Sequence, residues 1–572
     1  MSIPHRPSPW SPRWARSASS ATGSSSSCAA AWCSGRKAHL SDRQSPTCPF
    51  SPHTIFHKSY IVSTEHIDVV IVGAGLAGLS SAVFLGMNGV KALVVERREG
   101  TSILPKARGA NPVTMEALRT AGLAEAIHKA MPPGKPAITS VVSESLTGKV
   151  LYDHVAHRPD FSMFSPERPG MASQARAEEA LLRRALELGA QVRFKTRCEA
   201  LAQDDEGVDL TLCDMETGQA RTVRAKYVIA SDGIRGSIAG WLGIGTHGLG
   251  AIKSVTAVRF NADLTQWAGD NAMVIHYLQN PALPDGAGVL VSTDYKDEWV
   301  ANMSADPERD EAGMREIIKI MTGLPDLDFE IIGTVSYDYG HRIADRFRAG
   351  RVLLTGDAAH VMPPTGGQGG NTAVQDGYYL GWKLAAVIQG KAGPSLLDSY
   401  EIERQPYAEE VCNWQVANLA ERRRIDTLAE RIGAPLDHAT LLFGYICPPN
   451  GALVPEPGTE DQRFEHPARA SGRPGARVPY VELEGVDGGR VAPRHLLGPW
   501  FMAFTAVPGG AEAARAAADE LGIELKAYPV KSTAPLHAGE RQTVLVRPDG
   551  VVAWRGADNA GIGRALRTVL CR

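Results

Sequence analysis

The sequence has no apolar run long enough to cross a bilayer, which excludes a spanning helix. It has no marked excess of either charge: 60 Lys and Arg against 63 Asp and Glu give a formal net charge of −3. A nucleic-acid or polyanion binder would show a basic stripe, so neither partner is expected. The eight cysteines are scattered, so a disulfide framework is not expected and a reducing, cytoplasmic setting fits. Cys28 and Cys33 lie near His39 and His53, but the spacing is wrong for a zinc ribbon and no second Cys pair follows, so no metal site is expected. No Ser-His-Asp group or carboxylate pair stands out. With 572 residues the chain is long enough for two or three domains.

Residues 1–62 are rich in Ser, Pro and Arg, include Ser24 to Ser27 in a row, and show no helical or alternating period. Such a segment buries too little apolar surface to offset its ordering entropy. It is expected to be a disordered tail or a start assigned too far upstream. It lacks the apolar centre of a secretory signal. Order begins at Ile67, where Ile67 to Val72 is a β-branched run bounded by glycine, as in a buried parallel strand. Helical spacing from Leu76 to about Asn88 and a second strand at Val90 to Val95 complete a βαβ unit. Ala175 to Leu188 reads as an amphipathic helix, and residues 250–340 alternate in the manner of sheet.

Gly73-Ala74-Gly75-Leu76-Ala77-Gly78 lies between the first strand and its helix. The first glycine permits the turn, the second lets a diphosphate approach, and the third lets helix and strand pack closely. Phosphates would meet free N–H groups at the positive end of the helix dipole. Glu96 ends the second strand, about 20 residues on, where a carboxylate can accept from a ribose. Two further strands deliver Asp232-Gly233 and Gly356-Asp357. Singly, either is compatible with an ordinary Asp-Gly turn; together, after a dinucleotide fold, they point to carboxylates gripping ribose or ribityl hydroxyls. No second dinucleotide fingerprint is present for NAD(P)H. The most specific stretch runs from Gly356 through Pro363, Pro364, Gly366, Gly367, Gly369 and Gly370 to Asn371 and Thr372, then into a helix. Prolines followed by clustered glycines make a rigid loop whose backbone can lie against a planar ring. The amides of the following helix would stabilise an anionic reduced flavin.

Together these segments resemble the three signatures of the class A flavoprotein monooxygenases, typified by p-hydroxybenzoate hydroxylase. The resemblance runs from about residue 67 to 415 and, with the C-terminal region, is strongest to the FAD-dependent aromatic polyketide hydroxylases of actinomycete antibiotic pathways, tetracenomycin type. It implies an α/β fold: a Rossmann-like FAD-binding domain, a mixed-β substrate domain and a C-terminal thioredoxin-like domain. The FAD-binding parts would be 63–136, 170–239 and, together with the helices that follow, 341–447, the substrate parts 137–169 and 240–340. A Pro/Gly-rich linker at 448–480 would lead to a thioredoxin-like domain at 481–572 with no Cys-x-x-Cys. By the resemblance, Gly73, Gly75, Gly78 and Glu96 hold the ADP half of FAD, and Asp357 the ribityl chain. Pro363 and Pro364 would lie beside the isoalloxazine, with Gly367 to Asn371 at its pyrimidine edge. Arg108, within Pro105-Lys106-Ala107-Arg108-Gly109, and Gln174 match positions that touch FAD. Alone, Arg108 would read as a surface arginine. His360 reads as structural.

The chemistry so implied needs NAD(P)H, O2 and a small aromatic polyketide: FAD is reduced, O2 adds at flavin C4a, and the hydroperoxide hydroxylates a phenolic ring. The substrate would occupy a large apolar cavity against the β-rich region. The tetracenomycin likeness implies hydroxylation at more than one carbon. Two departures stand out. Asp232-Gly233 is followed by Ile234-Arg235-Gly236-Ser237-Ile238-Ala239 rather than the usual Arg-Ser pattern, and Gly370 replaces a bulkier residue. Rival readings are an FAD-linked reductase, a halogenase, whose Gly-Trp-x-Trp-x-Ile-Pro signature is absent, and a non-catalytic FAD-binding protein.

Overall fold

The computed structural model describes residues 65–572, apart from 103–107, 130–134, 155–159, 270, 296, 424–425 and 460. The tail 1–62 with Cys28, Cys33, His39 and His53, and the Pro105 to Ala107 run, lie outside the described residues. Among those described, no helix is long and apolar enough to cross a membrane.

The first strand, Glu65–Val72, sits in the middle of an eight-stranded sheet. Val69, Val70 and Ile71 are fully buried, and burying each such side chain contributes roughly 1.5–3 kcal/mol. The strand pairs in parallel with Ala92–Val95 on one side and Ala220–Ala230 on the other, and the latter pairs in parallel with Val352–Leu354. The register aligns four strand ends, for Val72 pairs with Val95 and with Ala230, and Ala230 with Leu354. One edge of the sheet therefore releases Gly73, Glu96, Asp232 and the Gly356 turn side by side. In open α/β sheets this carboxyl edge is where ligands bind.

A second eight-stranded sheet runs, by strand order, 360–361, 330–344, 246–261, 298–304, 287–292, 271–279, 135–143, 150–153. Period-two alternation divides its side chains. Val258, Phe260, Leu278, Leu290 and Met303 pack with Ile317, Ile318 and Met321 into a separate core. The last three come from a helix, Glu311–Thr322, inside the stretch expected to be mostly sheet. Asp310 caps it by accepting from Gly313 N at 2.8 Å, and Gly323 ends it in the left-handed region (φ 72°). Helical spacing of Met314, Ile317, Ile318 and Met321 had to be separated from the flanking alternation. Register places Tyr277, Val289, Asn302, Val255 and Tyr337 together on the other face.

At the C-terminus, Leu525–Pro529 pairs in parallel with Phe501–Thr505, which pairs antiparallel with Thr543–Val546, and that with Val552–Gly556. Helices Gly510–Leu521 and Asn559–Val569 complete a thioredoxin-like arrangement. Pro508, Gly509 and Gly510 follow the first strand of this sheet in place of a Cys-x-x-Cys, and Gly509 takes the left-handed conformation (φ 70°). Residues 448–480, expected as a linker, are packed rather than solvent-spanning: Ala452, Leu453, Ala476 and Val478 are buried, and Arg477 bridges to Val551.

This region grips the rest of the chain through buried charge. Arg547, fully buried, donates to Glu403 at 2.7 and 2.8 Å and to Asp549 at 3.0 and 2.6 Å. Lys383 donates to the same Glu403 at 2.7 Å, and Trp382 Nε1 to Asp549 at 2.8 Å. Burial alone would raise the Glu403 pKa, but the Arg547 and Lys383 charges outweigh it and hold the carboxyl down at about 2. Arg477 and Arg494 likewise both donate to buried Glu116. Lys383 belongs to the helix Gly369–Ile388 and Glu116 to Pro112–Thr120, the two helices that flank the glycine loop.

Candidate functional site

The six-residue glycine turn separates two demands. A Cβ on Gly73 (φ 108°) would lie 2.2 Å from the Ser231 carbonyl oxygen, and one on Gly78 would lie 1.9 Å from the Gly73 carbonyl oxygen. Protein packing thus requires both. A Cβ on Gly75 would meet nothing nearer than Glu178 Oε1, at 3.8 Å. That open space lies over the N-terminus of Leu76–Met87, which has no side-chain cap and no acid in its first turn. A diphosphate fits it. Glu96 reaches back to this turn, accepting from Ala74 N at 2.9 Å and Arg98 N at 3.0 Å.

The long helix Gly369–Ile388 packs against Leu76–Met87 with unusual closeness: a Cβ on Gly377 would lie 2.6 Å from Ser81 N, and one on Gly381 would lie 2.6 Å from Phe84 Cβ. Gly356 (φ 59°) is wedged between the first turns of both helices, since its Cβ would fall 2.7 Å from Ala77 Cβ and 3.5 Å from Ala373 Cβ. Asp357 is therefore presented, exposed, between two helix N-termini.

A residue the sequence reading missed holds that turn. Asp376, fully buried, accepts from Gly356 N at 2.9 Å, His360 Nε2 at 2.7 Å and Arg404 at 2.9 and 3.1 Å. Burial pushes its carboxyl up, but the charges of His360 and Arg404 and these hydrogen bonds bring it below the ordinary value. The available signal was an acid inside a helix, in the stretch Ala373-Val374-Gln375-Asp376-Gly377.

The Pro363 to Asn371 loop is fixed from three sides. Thr365 Oγ1 donates to the Gln415 carbonyl at 2.6 Å, and Gln368 N donates to Gln415 Oε1 at 2.8 Å. Asn371 Nδ2 donates to the carbonyls of Gly109 at 3.2 Å and Gly367 at 2.8 Å, while its Oδ1 accepts from Asn111 N at 2.7 Å. Gly366 (φ 101°) lies against Trp414, whose ring would be 2.3 Å from a Cβ there. Gly367 (φ 67°) faces open space, with only the Arg108 carbonyl at 3.9 Å, and a Cβ on Gly369 would meet nothing nearer than Met362 Cγ at 3.6 Å. Gly370 lies in the first turn of the helix, whose N-cap, Gln368, gives no side-chain capping bond to the helix amides. Gly75 and Gly367 thus leave room at two ends of one path, with Asp357 between them. An extended FAD suits that path.

The other expected residues are distributed as follows. Pro364 accepts from Gly367 N at 3.0 Å within the loop. Gln174 donates to buried Glu178 at 2.7 Å, and Glu178 also accepts from Ser102 N at 2.8 Å. Arg108 is ion-paired with Asp294, which Arg176 also approaches at 3.4 Å. Asp232 lies at the edge with the others, but its carboxylate turns into its own loop, accepting from Ile238 N at 3.1 Å. Burial raises its pKa. The space beside the loop, toward the second sheet, is lined by Thr365, Tyr277, Val289, Tyr339 and Leu419.

Residues 66–415 match the family described as FAD binding domain, and 471–572 match aromatic-ring hydroxylase, C-terminal. The chain is 36% identical to a tetracenomycin A2 monooxygenase-dioxygenase of Streptomyces glaucescens, covering 89% of this chain and 98% of that protein. It is also 36% identical to a 4-methyl-5-nitrocatechol 5-monooxygenase of a Burkholderia species, covering 88% and 98%. Among solved structures, an aklavinone-11 hydroxylase in a ternary complex with FAD and aklavinone aligns with a TM-score of 0.83 at 34% identity, covering 89% of this chain and 100% of that one.

Proposed function

Because the chain belongs to the FAD-binding aromatic-ring hydroxylase family, we propose that it is an FAD-dependent monooxygenase that uses NAD(P)H and O2 to hydroxylate a multi-ring aromatic polyketide. One oxygen atom enters the ring as hydroxyl and the other leaves as water, with the two electrons coming from NAD(P)H. FAD, when bound, supplies the redox chemistry that joins NAD(P)H oxidation to O2 activation. The observation that carries the reading is the alignment of four strand ends with two open glycines, Gly75 and Gly367, and an exposed carboxylate, Asp357, between them.

The residues divide the work. Amides after Gly75 bind the diphosphate, Asp357 accepts from ribityl hydroxyls, and Glu96 serves the ribose through lone pairs left after its two backbone contacts. Amides from Gly367 to Asn371 stabilise negative charge on the ring system. The face bearing Tyr277, Val289, Val255 and Tyr337 positions an aromatic substrate and excludes water. A naphthacenequinone of the tetracenomycin class, hydroxylated at more than one carbon in antibiotic biosynthesis, suits this reading. The likeness to a 4-methyl-5-nitrocatechol 5-monooxygenase supports a second substrate class, a single-ring phenol such as a substituted catechol.

The test is incubation of the protein, NADH or NADPH, and a panel of naphthacenequinones and catechols under 18O2, followed by mass spectrometry. A labelled hydroxyl in a multi-ring product supports the proposal. Label only in catechol products selects the second class, and product without label ends the oxygenase reading.

A further inference from the structure

Arg108 and Arg176 come from different parts of the FAD-binding fold yet converge on one carboxylate, Asp294, in the turn of a hairpin of the second sheet. The Arg108 and Asp294 side chains are only 6% and 8% exposed. Their place in the fold lies along the cofactor path. The carbonyl of Arg108 is 3.9 Å from where a Gly367 Cβ would be, and that of its neighbour Gly109 accepts from Asn371. Arg176 lies in the first turn of the helix Gln174–Glu187, and Glu178 of the same helix is the group nearest to the open space at Gly75. The two arginines thus sit between the diphosphate end and the ring end of the path.

A buried guanidinium such as Arg108 at this position would ordinarily face an anion from the ligand, because a buried cation without a counter-charge is strongly unfavourable, and Arg176, 36% exposed, adds a second positive charge beside it. Here the anion is supplied by the chain itself, across 186 residues of sequence. We propose that Asp294 is a resident stand-in for the FAD diphosphate: it holds Arg108 and Arg176 when the cofactor is away and releases them to the diphosphate when FAD binds. The proposal rests on the FAD assignment and deepens it, adding Arg176 to the cofactor site and making Asp294 an internal competitor. It also gives the hairpin a cofactor-dependent tether. The turn also carries Tyr295, 61% exposed, and Asp297 in the left-handed region (φ 64°).

The test compares apoprotein of wild type and Asp294→Asn, titrated with FAD and separately with riboflavin, which has no phosphate, following flavin fluorescence at low and high salt. The variant is expected to bind FAD about three- to tenfold more tightly at low salt, with the gain shrinking as salt screens the charges, and to bind riboflavin as wild type does. Amide exchange in residues 287–304 is expected to rise on FAD addition in wild type and to be high beforehand in the variant. Unchanged or weaker FAD binding by a variant with wild-type Tm overturns the proposal, as does an equal shift for riboflavin. Asp294→Ser, read in the same way, stands in if the asparagine variant folds poorly. Wild type that takes up no FAD at all refutes the cofactor assignment itself, a different result.

Discussion

The side-chain oxygen of Asn371 accepts a hydrogen bond from the backbone of Asn111 at 2.7 Å, tying together segments 260 residues apart. With its two donated bonds to Gly109 and Gly367, this one amide sets where the glycine loop stands relative to the strand bearing Arg108. Replacing Asn371 by Leu removes three hydrogen bonds of about 1 kcal/mol each. FAD affinity is expected to fall about 10- to 100-fold while the far-ultraviolet circular dichroism stays unchanged, as flavin titration of the apoprotein will show.

The dinucleotide turn yields a contrast between neighbouring glycines. Gly75→Ala puts a methyl into open space, so the protein folds normally and loses FAD affinity. Gly78→Ala drives a methyl into the Gly73 carbonyl, so stability drops by about 1–3 kcal/mol or more. Urea denaturation of the two apoproteins separates the effects: the midpoint moves for Gly78→Ala and not for Gly75→Ala.

Asp357→Ala is expected to abolish stoichiometric FAD retention with little change in Tm, because its carboxylate is exposed between two helix ends. A variant that purifies with one FAD per chain contradicts this placement.

Arg547 provides a test of the C-terminal region as a brace. Arg547→Met leaves buried Glu403 and Asp549 short of a counter-charge, which costs about 3–5 kcal/mol. The urea midpoint falls accordingly, and adding Asp549→Asn, which leaves the Lys383–Glu403 pair intact, recovers part of the loss.

His276 gives a pH signature. Burial lowers its pKa from 6.5 to about 4, where the ring meets Ser143 Oγ at 2.8 Å. A group depressed in the folded state binds fewer protons there than in the unfolded chain between those two values. Stability therefore falls as pH drops from about 6.5 toward 4, by up to about 3 kcal/mol. Chemical denaturation across that window will show the slope, and His276→Asn will flatten it.

How much of this was legible in the sequence depends on the range of the interactions. Gly73, Gly78 and the strand Ile67 to Val72 answer to local rules of turn conformation and burial, so their roles were readable. The thioredoxin-like arrangement of the C-terminal region was implied by the family resemblance and not by any local motif. Asp376, Glu178 and Asp294 were not legible, since each acts on a backbone or side chain that only the folded chain brings near: Gly356, Ser102 and Arg108. Asp232 shows the converse. Its Asp-Gly motif was plain, yet the Ile238 amide claims its carboxylate. The packing of 448–480 was hidden because Pro and Gly signal turns without saying whether the turns are buried.

The most direct measurement is the flavin content of the purified protein, read from the absorbance spectrum before and after FAD is offered. The account predicts a yellow protein with one FAD per chain, or a colourless one that takes up one FAD and loses that capacity on Asp357→Ala. A chain that stays colourless in excess FAD contradicts it.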